Sequence, residues 1–272
     1  PDMGVNMSRA PVSRMVESMQ FSLPAFEPPV LLSELPDNRP IALMIEPSQW
    51  ENVQKKYAHL LDKATPVYNS PDLRILALVP DSVRIWSQQQ ATEMLSFVKK
   101  DANQVAGGGW QCVSTPKWYQ SIHFDTSSTS AYKFQGNGAA TANLGDTTTI
   151  WENTIPQGLY VFSVWIKVDA DLGMTQDIQI TENGQTALPG KLQKMPLRTG
   201  LKTIVNRWAL FEIPFEVQEA QSQVHIYLYK KGGNAPFWYD EVMIRDQNFD
   251  LYRQAPGWVV KNNYWYKLPK NW

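Results

Sequence analysis

The sequence changes character near Asp101, where Gly107-Gly108-Gly109 soon opens a new region, and this change limits most strongly how the chain can fold. From there onward, short runs rich in β-branched and aromatic residues alternate with turn signals such as Asn183-Gly184, and helical periodicity disappears. The candidate strands are residues 118 to 124, 131 to 134, 159 to 168, 177 to 181, 208 to 217, 224 to 229 and 237 to 244. Short strands in this number predict an antiparallel β-sandwich of the jelly-roll type.

The first hundred residues show helical as well as strand patterns. Residues 41 to 45 are an apolar run bounded by prolines, which predicts a buried parallel strand. Ser48 and Glu51 match a helix capping box, and apolar residues then recur at helical spacing. Two more strand-like runs follow, and a weaker helical pattern extends from residue 82 to about residue 100. The predicted unit is a small α/β domain of order β-α-β-β, in a protein that is α+β overall.

These patterns predict three parts. A proline-rich arm and the α/β domain occupy residues 1 to 103, the jelly-roll sandwich residues 104 to 247, and an aromatic-rich tail residues 248 to 272. The tail contains seven aromatic residues, so we expect it to pack on the two domains.

Composition excludes several classes of function. Lys plus Arg number 25 against 26 for Asp plus Glu, so the chain lacks the positive surface that nucleic-acid phosphates require. A single cysteine, Cys112, excludes an internal disulfide and a multi-cysteine metal site. The three histidines lack metal-ligand spacing. The longest apolar runs are far shorter than the ~20 residues that cross a bilayer.

Motifs of catalytic chemistry are few. Asp169-Ala-Asp171 matches a pattern by which many nucleotide-sugar transferases hold a divalent cation, but it follows a predicted strand and precedes Gly173, which favours a solvated turn. No zinc-protease, phosphate-loop or nucleophile-elbow motif is present. We therefore predict that the chain is not itself an enzyme. An enzyme would need two carboxylates that converge in an open cleft.

One late strand carries the strongest binding signal. Its period of two places Ile226 and Leu228 on one face and His225, Tyr227 and Tyr229 on the other. The aliphatic face belongs to a core. The aromatic face offers a platform on which a sugar ring can stack while its hydroxyls reach polar neighbours.

Two other runs can add to this platform. Residues 159 to 168 alternate likewise, and Trp165 lies on their more polar face. Asp177 and Gln179 lie opposite to Ile178 and supply hydrogen-bonding groups if their strand lies beside the others. The alternative is that the N-terminal unit or the aromatic tail covers this sheet face, which would make its Tyr and Trp side chains ordinary interface residues.

Two motifs make residues 107 to 246 similar to a known class of domain. Gly158-Leu-Tyr-Val-Phe-Ser-Val-Trp-Ile-Lys167 resembles the G-x-Y-x-x-S-x-W-x-K strand of carbohydrate-binding modules with the galactose-binding-like jelly roll, and Phe237-Trp-Tyr-Asp-Glu-Val242 resembles their closing strand. The resemblance implies non-catalytic glycan binding, often on a concave sheet face. It also implies a structural Ca²⁺ ion with Asp240 among its ligands, and no other cofactor. Gly107-Gly108-Gly109-Trp110 replaces the usual opening that supplies a second acidic ligand.

Residues 41 to 79 are similar to the soluble extracytoplasmic tail of bacterial lipid-linked-sugar glycosyltransferases, through their element order and the stretch from residue 67 to residue 78. This resemblance implies a membrane-embedded part of the same polypeptide before Pro1, and a location on the periplasmic or extracellular face of the cytoplasmic membrane. We therefore expect a glycan-binding or substrate-positioning region with carbohydrate as its partner. The alternatives are a carbohydrate-binding portion of a secreted glycoside hydrolase and a structural or protein-interaction sandwich without a glycan ligand.

Overall fold

The computed structural model describes most of the chain from residue 40 onward. The described residues are 40–102, 104–107, 109–114, 116–124, 133–142, 147–167, 176–205, 208–230 and 237–269. The predicted arm before residue 40, the Asp169-Ala-Asp171 motif and the first two residues of the candidate strand at 131 to 134 lie outside them.

The first unit has the predicted β-α-β-β order and continues into a second helix. Its elements are β1 (Ile41–Ile45), a 3₁₀ turn (Pro47–Gln49), α1 (Trp50–Leu61), β2 (Ala64–Asn69), β3 (Arg74–Leu78) and α2 (Pro80–Lys100). Pro80 occupies the first turn of α2, where its missing N–H costs nothing. No helix in the described part of the chain is both long and apolar enough to cross a membrane.

Two details predicted for this unit are wrong. Strand β1 is not a buried parallel strand: it pairs antiparallel with β3, which lies between β1 and β2. Only one side of β1 is covered, since Met44 is 71% exposed whereas Ile45 is 7% exposed. The helical segment also begins earlier than the capping box predicts. Pro47, which is favoured at a first helical position, starts a 3₁₀ turn after Glu46, so Ser48 lies inside that turn instead of capping α1.

The remaining strands form two larger sheets. In chain order they are β4 (Gln104–Gly107), β5 (Trp110–Cys112), β6 (Tyr119–Ile122), β7 (Ala140–Ala142), β8 (Thr148–Lys167), β9 (Gln176–Glu182), β10 (Gln185–Thr186), β11 (Met195–Pro196), β12 (Leu201–Val205), β13 (Trp208–Lys230), β14 (Phe237–Asp246), β15 (Tyr252–Ala255), β16 (Trp258–Lys261) and β17 (Tyr264–Lys267). Short 3₁₀ turns occur at Pro189–Lys191 and Leu197–Gly200. Every strand pair is antiparallel in the described sheets, which confirms the predicted fold class.

The long strands β8 and β13, of 20 and 23 residues, organise the sandwich. They pair over most of their length, but the register shifts between Val217 and Gln221, where residues 218 to 220 bulge from β13. We call residues 158–167 of β8 with 208–217 of β13 the covered half, which continues into β12, β14, β6 and β7. Residues 148–156 with 221–230 are the open half, which continues into β9, β10 and β11.

The inner faces of the two halves share one hydrophobic core. Phe162 and Val164 of the covered half are fully buried in the same cluster as Ile226 and Leu228 of the open half. The faces predicted from the period of two are therefore confirmed for both runs. Because both halves contribute to one core, the bulge marks the corner where each long strand passes from one layer to the other.

A third sheet covers the outer face of the covered half. Its strand order is β17, β16, β15, β5 and β4, so the aromatic tail joins the strands just after α2. Val260 and Trp265 pack in a cluster with Trp165 of the covered half, whereas Val259 packs in a cluster with Leu95 of α2. Successive strand residues thus face opposite layers, and the tail sheet lies between α2 and the sandwich.

The predicted place of Trp165 on an open platform is therefore wrong. Its side chain is fully buried, its indole N–H donates to the carbonyl oxygen of Asn263 at 3.1 Å, and its ring stacks on Phe134 with the centroids 3.9 Å apart. The physical reason is that the aromatic tail covers this face, which is the alternative that the sequence left open.

Replacing Trp165 by Ala should destabilise the protein by roughly 3 to 5 kcal/mol, because the substitution leaves a cavity in a packed core. Urea denaturation followed by circular dichroism measures the free energy of unfolding. Leu159, which lies on the same strand and is 46% exposed, is the matched control, and Leu159→Ala should cost about 1 kcal/mol or less. Equal effects of the two substitutions would contradict the covering of Trp165.

Candidate functional site

The outer face of the open half brings together most of the residues that the sequence singles out for glycan binding. In the register of β13 and β9, Tyr227 lies opposite Gln179, and Tyr229 lies opposite Asp177. His225 lies opposite Thr181 in the same register. Directly opposed residues of an antiparallel pair point to the same side, so these side chains share one surface.

The aromatic rings on this face are half-buried and ordered by their neighbours. The rings of His225 and Tyr227 are parallel within 2°, with centroids 5.8 Å apart. The Tyr229 hydroxyl donates to the side-chain oxygen of Gln179. Lys194 Nζ lies 3.6 Å from the centroid of the Tyr229 ring, an arrangement that attracts the cation to the π face. The face therefore combines flat apolar rings with groups that can donate and accept hydrogen bonds.

Glu152 of β8 adds a carboxylate to the edge of this surface. Its Oε2 atom lies 3.3 Å from His225 Nδ1, and the Glu152 side chain is 64% exposed. Asp177, in contrast, is only 7% exposed. Asp177 therefore contributes little accessible surface, and the hydrogen-bonding groups that remain accessible come chiefly from Gln179, His225 and Glu152.

A second polar cluster lies where β14 meets the tail sheet. Glu241, which is 6% exposed, has its Oε2 atom 2.6 Å from His123 Nδ1 and 3.5 Å from a terminal nitrogen of Arg253. The other terminal nitrogen of Arg253 lies 2.9 Å from His123 Nε2. Sequence reasoning missed this cluster because His123 lies more than a hundred residues before Glu241 and Arg253 in the chain. The one local signal is the Asp-Glu-Val motif that contains Glu241.

Asp240 accepts three backbone hydrogen bonds and is 1% exposed. Its Oδ2 atom accepts from the N–H groups of Phe134 and Gln135 at 3.1 and 3.3 Å, and its Oδ1 atom accepts from that of Glu241 at 2.8 Å. Burial, together with the nearby Glu241 carboxylate, raises the pKa of Asp240 to about 7, although the backbone N–H groups act in the other direction. The carboxyl group thus holds the loop at residues 134 and 135 against β14.

The calcium role of Asp240 stays a prediction. Among the residues that the structure describes, no group of three or more His, Cys, Asp or Glu side chains could hold a metal ion. Cys112 is buried in the cluster between the covered half and the tail sheet, and burial raises the pKa of its thiol.

Comparison with known proteins returns structural similarity only. No protein-family model matches the chain, and no curated protein matches its sequence. Among solved structures, the chain is similar to the EclA C-terminal domain, a sugar-binding protein, with 13% identity, a TM-score of 0.27, and coverage of 55% of this chain and 95% of that chain.

Two xylan-binding domains are similar to it as well. The CBM22-1 domain from Paenibacillus barcinonensis Xyn10C is 15% identical with a TM-score of 0.28, over 57% of this chain and 93% of that chain. A xylan-binding domain from CBM 22 is 14% identical with a TM-score of 0.27, over 54% of this chain and 92% of that chain. The resemblance of the first unit to glycosyltransferase tails stays a prediction.

The raised pKa of Asp240 predicts a pH dependence of stability. Native Asp240 keeps its proton up to about pH 7, whereas an unfolded aspartate loses it near pH 4. The native state therefore binds the extra proton between these values, and the contribution of Asp240 to the free energy of unfolding falls as the pH rises from about 4 to about 7. Asp240→Asn should remove this contribution, which is at most roughly 4 kcal/mol.

The measurement is urea denaturation of wild type and variant at several pH values. The difference in the free energy of unfolding should depend on pH for Asp240→Asn. The exposed turn residue Asp72 is the control, and Asp72→Asn should retain the wild-type profile. If the stability of Asp240→Asn depended on pH in the same way as that of the wild type, burial would not raise the pKa of Asp240.

Proposed function

We propose that this chain binds glycans without catalysis, and that the outer face of the open half is the binding surface. The observation that carries the proposal is the strand at residues 225 to 229. Its inner side chains, Ile226 and Leu228, are fully buried, whereas His225, Tyr227 and Tyr229 remain half-buried on the outer face. Three ring side chains on successive outward positions of one strand keep part of their apolar surface accessible.

The arrangement suits a sugar chain that lies along the strand. A pyranose ring presents C–H groups on its flat faces, which pack on aromatic rings, and hydroxyls at its rim. The parallel rings of His225 and Tyr227 offer neighbouring flat surfaces, and Gln179 and Glu152 lie within the same face to meet hydroxyl groups. Glu152 and Lys194 carry opposite charges, so the surface favours a neutral glycan over a strongly charged one.

The proposal includes the location of the chain and the polypeptide to which it belongs. We propose that the chain acts as an accessory that positions glycans on the outer side of a bacterial cytoplasmic membrane, linked to a membrane-embedded part of the same polypeptide. The weak similarity of the first unit to glycosyltransferase tails supports this setting. The alternative is a carbohydrate-binding portion of a secreted glycoside hydrolase. In that case too, the outer face would bind the glycan.

Tyr227→Ala tests the surface directly. The chain should bind at least one oligosaccharide of a glycan array with a Kd on the order of 0.01 to 1 mM, as a few stacked rings and hydrogen bonds provide. Isothermal titration calorimetry with that oligosaccharide should then show at least a tenfold weaker affinity for Tyr227→Ala, a loss of about 1.4 kcal/mol or more.

Controls separate binding from folding. Tyr68, which is 52% exposed on the small sheet, is the matched site, and Tyr68→Ala should retain wild-type affinity. Tyr227→Phe keeps the ring and should keep most of the affinity. An array without hits, or strong destabilisation by Tyr227→Ala, would argue for a structural or protein-interaction role of this face.

A further inference from the structure

A separate cavity of about 470 Å³ lies beside the His123, Glu241 and Arg253 cluster. Its lining includes these three residues together with Gln135, Trp258 and Trp265. Trp258 and Trp265 belong to the tail sheet, outside the region that resembles a carbohydrate-binding module. The cavity shares no lining residue with the outer face of the open half. Its volume is within the range of about 300 to 1,000 Å³ that small-ligand sites occupy.

The charges of the cluster balance without a ligand. A guanidinium always donates, so the contact of Arg253 with His123 Nε2 makes that nitrogen an acceptor. Glu241 Oε2 lies 2.6 Å from His123 Nδ1 and 3.5 Å from a terminal nitrogen of Arg253. Arg253 and Glu241 carry opposite charges and compensate each other. The cavity therefore offers no excess positive charge to an anion.

The lining contains two N–H groups without acceptors. Arg253 lies over the rings of Trp110 and Trp265, with its central carbon 5.1 and 5.2 Å from their centroids. Arg253 Nε and Trp265 Nε1 have no hydrogen-bond partner among the described residues. Buried N–H groups nearly always have an acceptor. Both atoms belong to residues that line the cavity, so they are donors that the protein itself leaves without an acceptor.

Trp258 supplies a partly exposed aromatic wall. Its ring meets that of Trp265 edge to face at 6.1 Å, and Lys267 Nζ lies 5.9 Å from its centroid. Gln254, which is exposed, lines the rim of the cavity. A flat ring, amide groups and N–H donors without acceptors suit a ligand that is itself a ring with apolar faces and hydroxyl oxygens.

We propose that this cavity binds the end of a neutral glycan, as one or two sugar rings, at a second site separate from the outer face. A cavity of this volume accommodates one or two sugar rings, whereas an open strand face holds the length of a chain. This inference extends the proposed function, but it rests on different residues and can fail independently.

The test uses the full chain with Tyr227→Ala, which weakens binding at the outer face, and a second substitution in the cavity shows whether the remaining binding occurs there. The probes are glucose, galactose, mannose, xylose, N-acetylglucosamine, lactose and cellobiose at up to about 50 mM, with glucuronate as the charged comparison. Binding is followed by saturation-transfer NMR and by tryptophan fluorescence. At least one neutral probe should bind to Tyr227→Ala, and more tightly than glucuronate does.

Adding Trp258→Ala to that background should weaken binding about tenfold or more, since the aromatic wall is lost. Trp238, a partly exposed tryptophan of β14 that does not line the cavity, is the matched control, and Trp238→Ala should change affinity less than about twofold. If Trp258→Ala fails to fold, Gln254→Ala at the exposed rim should show the weakening instead.

Three results would overturn the proposal. They are binding of no neutral probe, binding of glucuronate in preference to every neutral probe, and equal binding with and without the Trp258 or Gln254 side chain. A separate measurement tests the outer face. Trp258→Ala leaves that face intact, so the proposed function fails if this variant binds no oligosaccharide, whatever the cavity does.

Discussion

The pairing of β8 with β13 is the interaction on which the rest of the structure depends. Both layers of the sandwich are built on these two strands, so the corner that they turn must be held firmly. Glu182 of β9 holds it: its carboxylate accepts from the backbone N–H groups of Gln218 and Glu219 in the bulge and from the Ser222 hydroxyl at 2.6 Å. Charge-assisted bonds of this kind are stronger than neutral ones. These bonds fix the bulge, and the fixed bulge orients the two halves so that their inner faces pack on one core.

The corner also decides which aromatic side chains are available for recognition. On one side of it, the tail sheet covers the outer face, and Trp165 becomes a core residue with its N–H satisfied by Asn263. On the other side, Tyr227 and Tyr229 remain half-buried beside Gln179. The same alternation along one pair of strands therefore produces a packed interface at one end and an accessible surface at the other. The tail sheet covers the aromatic side chains of the covered half, whereas those of the open half remain accessible to a ligand.

The sequence predicts which residues of one strand share a face, but it does not predict which distant strands pair with each other. The period of two places Tyr227 and Leu228 on opposite faces, because strand geometry alone determines this. It cannot reveal that Trp165 and Tyr227 lie on opposite sides of a corner, because that depends on the length and register of strands formed by distant segments. The antiparallel pairing of β1 is hidden for the same reason. The cluster of His123, Glu241 and Arg253 forms only when the tail sheet docks, and no spacing within the chain encodes it.

The tail sheet has a consequence for how the protein is made. Strand β5, which begins at Trp110, pairs with β15 at Tyr252, so about 140 residues separate the partners along the chain. Loops of this length close slowly, and contacts between distant segments retard folding. During synthesis the first unit and the sandwich emerge before β15, β16 and β17, the strands of the tail sheet that come last in the chain. Until residues 252 to 267 are synthesised, Trp165 and the apolar side of α2 remain uncovered. A nascent chain that pauses at this stage exposes hydrophobic surface to chaperones and to other nascent chains.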